Sequence, residues 1–380
     1  MKIACVVGAR PNFMKIAPIL ERMEKYPNLE PLLVHTGQHY DYEMSQIFFE
    51  DLSIPKPDVY LGVGSGSHAV QTGKILMAFE EVVIEHKPDL VLVVGDVNST
   101  LACTLVAAKL CIPVAHVEAG IRSFDRTMPE EINRILTDAI SNYLFTPTED
   151  ADENLKKEGI PEEKIFLVGD VMIDTLMKYK EKASADGILK DLGLEGSLYA
   201  LMTLHRPFNV DVRTNFVNIL NALAEIQRRI KIIFPMHPRT KARVEEFGLS
   251  HTISSMENLV IIEPLGYLRF MGLMVSARFV LTDSGGMQTE TTVLNIPCLT
   301  LRENTERPET IREGTNTLVG SNTKLIVGES MEILDGNGKT GVYPKLWDGH
   351  AAERIAAIIG KFQKRSSAFL PAGEARSSPL

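Results

Sequence analysis

The chain has 380 residues, which at roughly 150 residues per domain predicts two or three domains. Its composition, 44% hydrophobic and 23% charged, excludes disordered, collagen-like and low-complexity classes. Forty basic residues against forty-nine acidic ones give a net charge of −9, which argues against a nucleic-acid partner but not against a small anion held by a few local cations.

Short β-rich apolar runs alternate with amphipathic stretches along the chain. Residues 3–7 read as a strand, 8–12 as a loop, and a helix follows through Leu20; 31–35 form a second strand. Residues 69–86 are amphipathic at helical spacing and end before Pro88, where a helix should stop. Residues 90–94 are five consecutive aliphatics, the pattern of a strand buried on both faces of a parallel sheet. Strands at 114–117, 143–145 and 166–168 follow, with helical segments between them, giving repeated β-α-β units. Around 180–197 the composition turns to Lys, Asp, Gly and Ser, the mark of a boundary. A second series starts at 199–203 and continues at 232–234, 259–262, 279–281 and 298–301. A final amphipathic segment, 351–362, precedes a Ser/Pro/Ala tail, 365–380, expected to be flexible. The expected fold is therefore α/β: two Rossmann-like, doubly wound parallel-sheet domains facing across a cleft. The first would span 1–170, joined by the C-terminal helix at about 351–364, and the second 171–350. The four cysteines (Cys5, Cys103, Cys111, Cys298) form no Cys-x-x-Cys pair, the start MKIACVVGARP lacks a signal peptide, and no apolar run reaches membrane-spanning length. A cytoplasmic chain with no membrane association is the expectation.

In open α/β sheets, ligands bind beyond the carboxyl ends of the strands, so the residues just after each strand carry the information. Asp96 and Glu118 end two strands of the first half, a pair suited to acid/base work; the plainer reading is that they cap loops or helices. In the second half, Asp283-Ser284-Gly285-Gly286 follows a strand and opens a helix. Glycines let the backbone approach a phosphate, and the helix start supplies free N–H groups and partial positive charge. Glu290, one turn further, is within reach of a ribose diol, and Arg10, Lys15 and Arg307 are cations for a diphosphate. The alternative is an ordinary turn with a serine cap. No Gly-x-Gly-x-x-Gly follows the first strand, the stretch from Gly66 to Lys74 has the wrong spacing for a P-loop, and no His-Glu-x-x-His is present. His35, His39, His68, His86 and His116 read as structural. No redox cofactor and no metal is expected.

These residues resemble a known family, the non-hydrolysing UDP-N-acetylglucosamine 2-epimerases. The matching pieces are GARPNFMKIAP (8–18), TGQHYD (36–41), VVGDVNST (93–100), HVEAGIRSFDRTMPEEINR (116–134), TLHRPFNV (203–210), LTDSGGMQTE (281–290), RENTERPET (302–310) and WDGHAAERI (347–355). The resemblance implies a fold like that of the two-domain GT-B glycosyltransferases, a closing cleft and a homodimer. It places Arg10, Lys15, Asp96, Glu118, Glu130 and His205 at the sugar and diphosphate end. Ser284, Gly285, Gly286, Glu290 and Arg307 would hold the diphosphate and ribose, and Phe270 would lie near the uracil. The sequence departs from the better-known bacterial branch at Asn12 and Thr289, each a Glu there, and at His205-Arg206-Pro207-Phe208. Those departures weigh against a second, activating UDP-sugar site. They also leave open a substrate of the UDP-2,3-diacetamido type.

The chemistry implied by the resemblance suits these residue types. Inverting C2 removes a hydrogen that no neighbouring carbonyl acidifies, so UDP must leave C1 first or together with it. The resulting 2-acetamidoglucal is then reprotonated on the other face as UDP returns. Such a path needs aimed dipoles and cations on the diphosphate, acid/base groups at both faces of C2, and a cleft that closes. A glycosyltransferase of the same architecture, a UDP-sugar hydrolase and a non-catalytic nucleotide-sugar sensor are the rival readings.

Overall fold

A computed structural model describes residues 1–37, 52 and 54–362, the side chain of Arg10 apart. The first parallel sheet has seven strands, β1 (Lys2–Val7), β2 (Glu30–His35), β3 (Val59–Tyr60), β4 (Leu90–Val94), β5 (Val114–Val117), β6 (Tyr143–Thr146) and β7 (Ile165–Leu167), in the order β3-β2-β1-β4-β5-β6-β7. The second has six, β8 (Tyr199–Thr203), β9 (Lys231–Pro235), β10 (Leu259–Ile262), β11 (Phe279–Thr282), β12 (Cys298–Thr300) and β13 (Asn316–Leu318), in the order β10-β9-β8-β11-β12-β13. Both orders start in the middle and wind outward in both directions, so each sheet has a switch point, between β1 and β4 and between β8 and β11. The central strands are buried on both faces, as their aliphatic runs require; Leu90 to Val94 are all shielded from solvent.

The strands at 90–94, 114–117, 199–203 and 259–262 stand where the sequence puts them. The edge strands β3 and β13 were not foreseen: they are short and half-polar, and pair with one neighbour each. The first helix, Arg10–Met23, starts inside the expected loop. Pro11 suits the first helical turn, and the Asn12 side chain accepts from the backbone N–H of Gly8 and Ala9 while donating to the Val94 carbonyl at 2.9 Å. A glutamate at position 12 could not make that last bond. Residues 38–41 of TGQHYD, with His39, and the 365–380 tail lie outside the described residues.

The helix Val171–Ser184 packs against Arg10–Met23 on one side and against Tyr267–Val275 and Gly285–Leu294 on the other, tying the two sheets together. The last helix, Ala351–Ile359, returns to pack on Arg10–Met23. The two passages between the sheets lie against each other. Gly169 has a φ of +91°, and its missing side chain makes room for the Leu346 carbonyl, which a Cβ would strike. Arg354 donates to the carbonyls of Val168 (3.0 Å) and Leu346 (3.3 Å), and the buried Trp347 donates to the Pro147 carbonyl. Among the described residues, no helix is long and apolar enough to cross a membrane.

Candidate active site

A cavity of about 300 Å³ opens between the carboxyl ends of the two sheets, next to both switch points. Lys15, Asp96, Glu118, His205, Phe270, Ser284, Gly285, Gly286, Glu290 and Arg307, ten of the residues expected at the site, line it. Glu130 does not: it is half-buried in the first turn of the helix Pro129–Ile140, and the cavity wall is formed instead by Arg134, one turn further. The Arg10 side chain lies outside the described residues.

On the first wall, Asp96 and Glu118 follow the adjacent strands β4 and β5. Glu118 sits at a φ of +69°, a left-handed conformation costly for a residue with a side chain and typical of positions held for function. Its carboxylate is buried between two cations: Lys15, in direct ion-pair contact, and Arg307, whose Nη2 donates at 3.0 Å. Burial alone would raise the Glu118 carboxyl, but the charges and hydrogen bonds of Lys15 and Arg307 outweigh it and hold the acid below its ordinary range. Arg307 also donates to Asp170 at 2.7 Å; of these two acids, burial and the Glu118 charge push Asp170 the other way, upward. Asp96 is paired with Arg134, Nη1 to Oδ2 at 2.5 Å. Under this wall His116 bridges Asp138 and the Gly95 carbonyl, and His35 stacks between Phe13 and Tyr60.

The second wall is built around Asp283. Fully buried after β11, it accepts from the backbone N–H of His205 (3.0 Å) and Arg206 (2.8 Å) and pairs with the His205 ring at 3.1 Å. Burial raises its pKa, but the His205 hydrogen bond and charge and these backbone donors bring it below the usual range. His205 is thereby aimed at the cavity by a fixed anion. The helix Gly285–Leu294 starts at Ser284, whose hydroxyl makes no cap bond, so the first-turn N–H groups face the cavity unspent on the protein. Glu290, buried one turn along, accepts from the Tyr267 hydroxyl at 2.8 Å; burial, against that hydrogen bond, raises its carboxyl to about 7. Glu306 lies against Gly285 and pairs with Arg302 at 2.7 Å, its acid driven far down by the surrounding arginines despite burial.

Asp170, Tyr267, Arg134 and Glu306 are site residues that strand-end reasoning missed. Asp170 lies beyond the C-terminal end of β7, in the passage between the sheets, and Tyr267 and Arg134 sit on helices. Glu306 is in a loop beyond β12. The last two were within matched motifs, and that was the available signal. Asp96 and Glu118 are each compensated by a buried cation, so this wall does not repel a diphosphate as two bare acids would.

A cavity whose walls carry paired acids on one side and an open helix start with a histidine on the other suits an anionic, sugar-like ligand, and comparison with known proteins agrees. A family model described as UDP-N-acetylglucosamine 2-epimerase matches residues 21–360. A protein of Methanococcus maripaludis named UDP-N-acetylglucosamine 2-epimerase homolog is 49% identical, over 94% of this chain and 99% of that one. The crystal structure of the Methanocaldococcus jannaschii UDP-GlcNAc 2-epimerase, in complex with UDP-GlcNAc and UDP, is 46% identical and superimposes with a TM-score of 0.87, covering 94% of this chain and 99% of that one. A Pseudomonas aeruginosa protein named UDP-2,3-diacetamido-2,3-dideoxy-D-glucuronate 2-epimerase is 42% identical, over 95% of this chain and all of that one. The chain belongs to the UDP-N-acetylglucosamine 2-epimerase family.

Proposed function

We propose that this protein inverts C2 of UDP-N-acetylglucosamine, giving UDP-N-acetylmannosamine by elimination of UDP and its re-addition. The observation that carries the reading is the meeting of Asp96 and Glu118 with the Ser284–Gly286 helix start across one cavity. In the first half-reaction the C1–O bond to UDP breaks and the C2 proton passes to a carboxylate of the first wall. The departing diphosphate is stabilised by the helix-start N–H groups, His205, Lys15 and Arg307. Re-forming the C1–O bond with protonation from the opposite face completes the inversion. Glu130 stays in this proposal as a supply of the second acid, on the helix that flanks the cavity. Ser284, Gly285, Gly286, Glu290 and Phe270 take the nucleotide end. No step needs a metal or a nicotinamide.

The test is incubation with UDP-N-acetylglucosamine in deuterated water, with C2 followed by NMR. Deuterium should enter C2 in both epimers with no added cofactor. Epimer that keeps its original hydrogen would remove elimination and re-addition; release of free sugar would favour the hydrolase. The Pseudomonas relative gives a second reading, a UDP-2,3-diacetamido uronic acid as substrate, decided by running both sugars side by side.

The same reading carries a cytoplasmic location and a homodimer. Supporting the dimer, Val70, Met77 and Ile84 recur every seven residues on the helix His68–His86 and are at least half exposed. Ile132, Leu136 and Ile140 form a second exposed apolar stripe on the nearby helix Pro129–Ile140.

A further inference from the structure

Arg134 is buried, yet its guanidinium does two separate things. Its Nε and Nη2 hold the Glu131 carboxylate, at 3.0 and 2.7 Å, while Nη1 extends away to Asp96 at 2.5 Å. Glu131 is itself fixed: it accepts from the backbone N–H groups of Ser123 and Phe124, each at 2.9 Å, and from the Ser123 hydroxyl at 3.1 Å. Phe124 is held at a φ of +59° to present that N–H. The neighbouring Asn133 donates to the backbone carbonyl of Asp96 at 2.8 Å. Consecutive residues of one helix thus fasten both the main chain and the side chain of Asp96. The Asp96 carboxylate remains about one-third exposed, toward the cavity that both it and Arg134 line. Glu131 and Ser123 take only the Nε and Nη2 hydrogens, so the buried Nη1 arm is left for Asp96, the one partner of Arg134 here that lines the cavity.

We infer that Arg134 is a positioning residue for epimerisation: anchored by Glu131, it fixes the Asp96 carboxylate in the orientation in which it exchanges a proton with the substrate. The inference rests on the reading of Asp96 as an acid/base group. Two N–H groups held on the Oε2 of Glu131 on one side and a single arm on the other restrict the Asp96 carboxylate, and misplacing a reacting group by an ångström costs on the order of a hundredfold. Arg134 and Glu306, from the two walls, line the same cavity, and the Glu306 charge acts on Arg134 together with those of Asp96 and Glu131.

The experiment is a double-mutant cycle of Arg134→Gln with Asp96→Asn, following kcat and KM by C2 exchange and UDP affinity by calorimetry. Arg134→Gln should lower kcat by roughly 10–100-fold, with KM and UDP affinity within about threefold. In the Asp96→Asn background the same change should cost less than about threefold, because the group being positioned is already gone. Arg134→Lys, which keeps a charge but not the fork, should recover part of the loss. Multiplicative losses in the double variant would overturn the inference, as would loss of UDP affinity with kcat unchanged, which would make Arg134 a diphosphate ligand. If Arg134→Gln does not fold by circular dichroism, the cycle with Arg134→Lys is read in the same way. An active Asp96→Asn enzyme would instead sink the reading of Asp96, a separate outcome.

Discussion

A side chain at Gly286 would meet only the Met172 methyl, at 3.7 Å, an ordinary contact, whereas one at Gly285 would drive into the Glu306 carboxylate. The two glycines therefore test different things. Gly286→Val should fold, because the protein has room for it, but its methyls project where a diphosphate would approach the helix start. Losing two charge-assisted bonds of roughly 1.5–3 kcal/mol each should weaken UDP by about a hundredfold or more, measured by calorimetry with folding checked by circular dichroism. A folded variant that binds UDP at near wild-type affinity would put the nucleotide elsewhere. At this scale the sequence disclosed the acids and glycines that end strands, because sheet topology alone brings those positions together. It could not disclose that Glu118 is clamped between Lys15 and Arg307, a contact across 189 residues of chain. The family's pattern marks Glu130 rather than its neighbour Glu131; what the pattern does not carry is that Glu131 turns inward to bind backbone N–H groups.

The helix Ala351–Ile359 has no cap of its own; its first N–H groups are met from another element. Asp174, on Val171–Ser184, accepts from Ala351 (3.1 Å) and Ala352 (2.8 Å). Burial raises the Asp174 carboxyl to about 6, despite these two donors. A carboxyl raised on folding contributes its full stability below its ordinary pKa and loses it as pH climbs through the raised one. Replacing it with an amide, which keeps an acceptor but cannot ionise, should remove that dependence. Unfolding of Asp174→Asn relative to wild type should shift in the variant's favour as pH rises from about 4 to 7, by on the order of 1–3 kcal/mol. A difference that stays flat with pH would mean the carboxyl is not raised. Elements with a strong pattern were legible in the sequence, since five aliphatics between Pro88 and Gly95 are too short for a helix and suit a buried strand. The helix start at Arg10 and the strands β3 and β13 were not, being decided by a side chain bonding across to Val94 and by edge pairing.

For the whole molecule, the doubly wound architecture with its cleft was legible because alternating strands and helices leave few other packings. The returning helix was legible as a final amphipathic segment, and its packing on Arg10–Met23 is seen in the structure. The apolar stripes on His68–His86 and Pro129–Ile140 belong at this scale, since nothing among the described residues covers Met77 or Ile84, which are 66% and 61% exposed. Light scattering after size exclusion should give twice the chain mass of 42.1 kDa. Charge placed at both Met77 and Ile84 should return the single-chain mass, and a wild-type monomer at micromolar concentration would remove the dimer.

The two passages between the sheets, pinned side by side where the Leu346 carbonyl fills the space left by Gly169, have a mechanical consequence. A single tether would let one half swivel freely about the other, as on a ball joint. Two adjacent tethers, cross-bolted by Arg354, resist twisting and leave one soft axis, like a door on paired pins. Arg307 reaches across to Glu118 and Asp170 within that frame, so the register of the two walls is built into the protein before a ligand arrives.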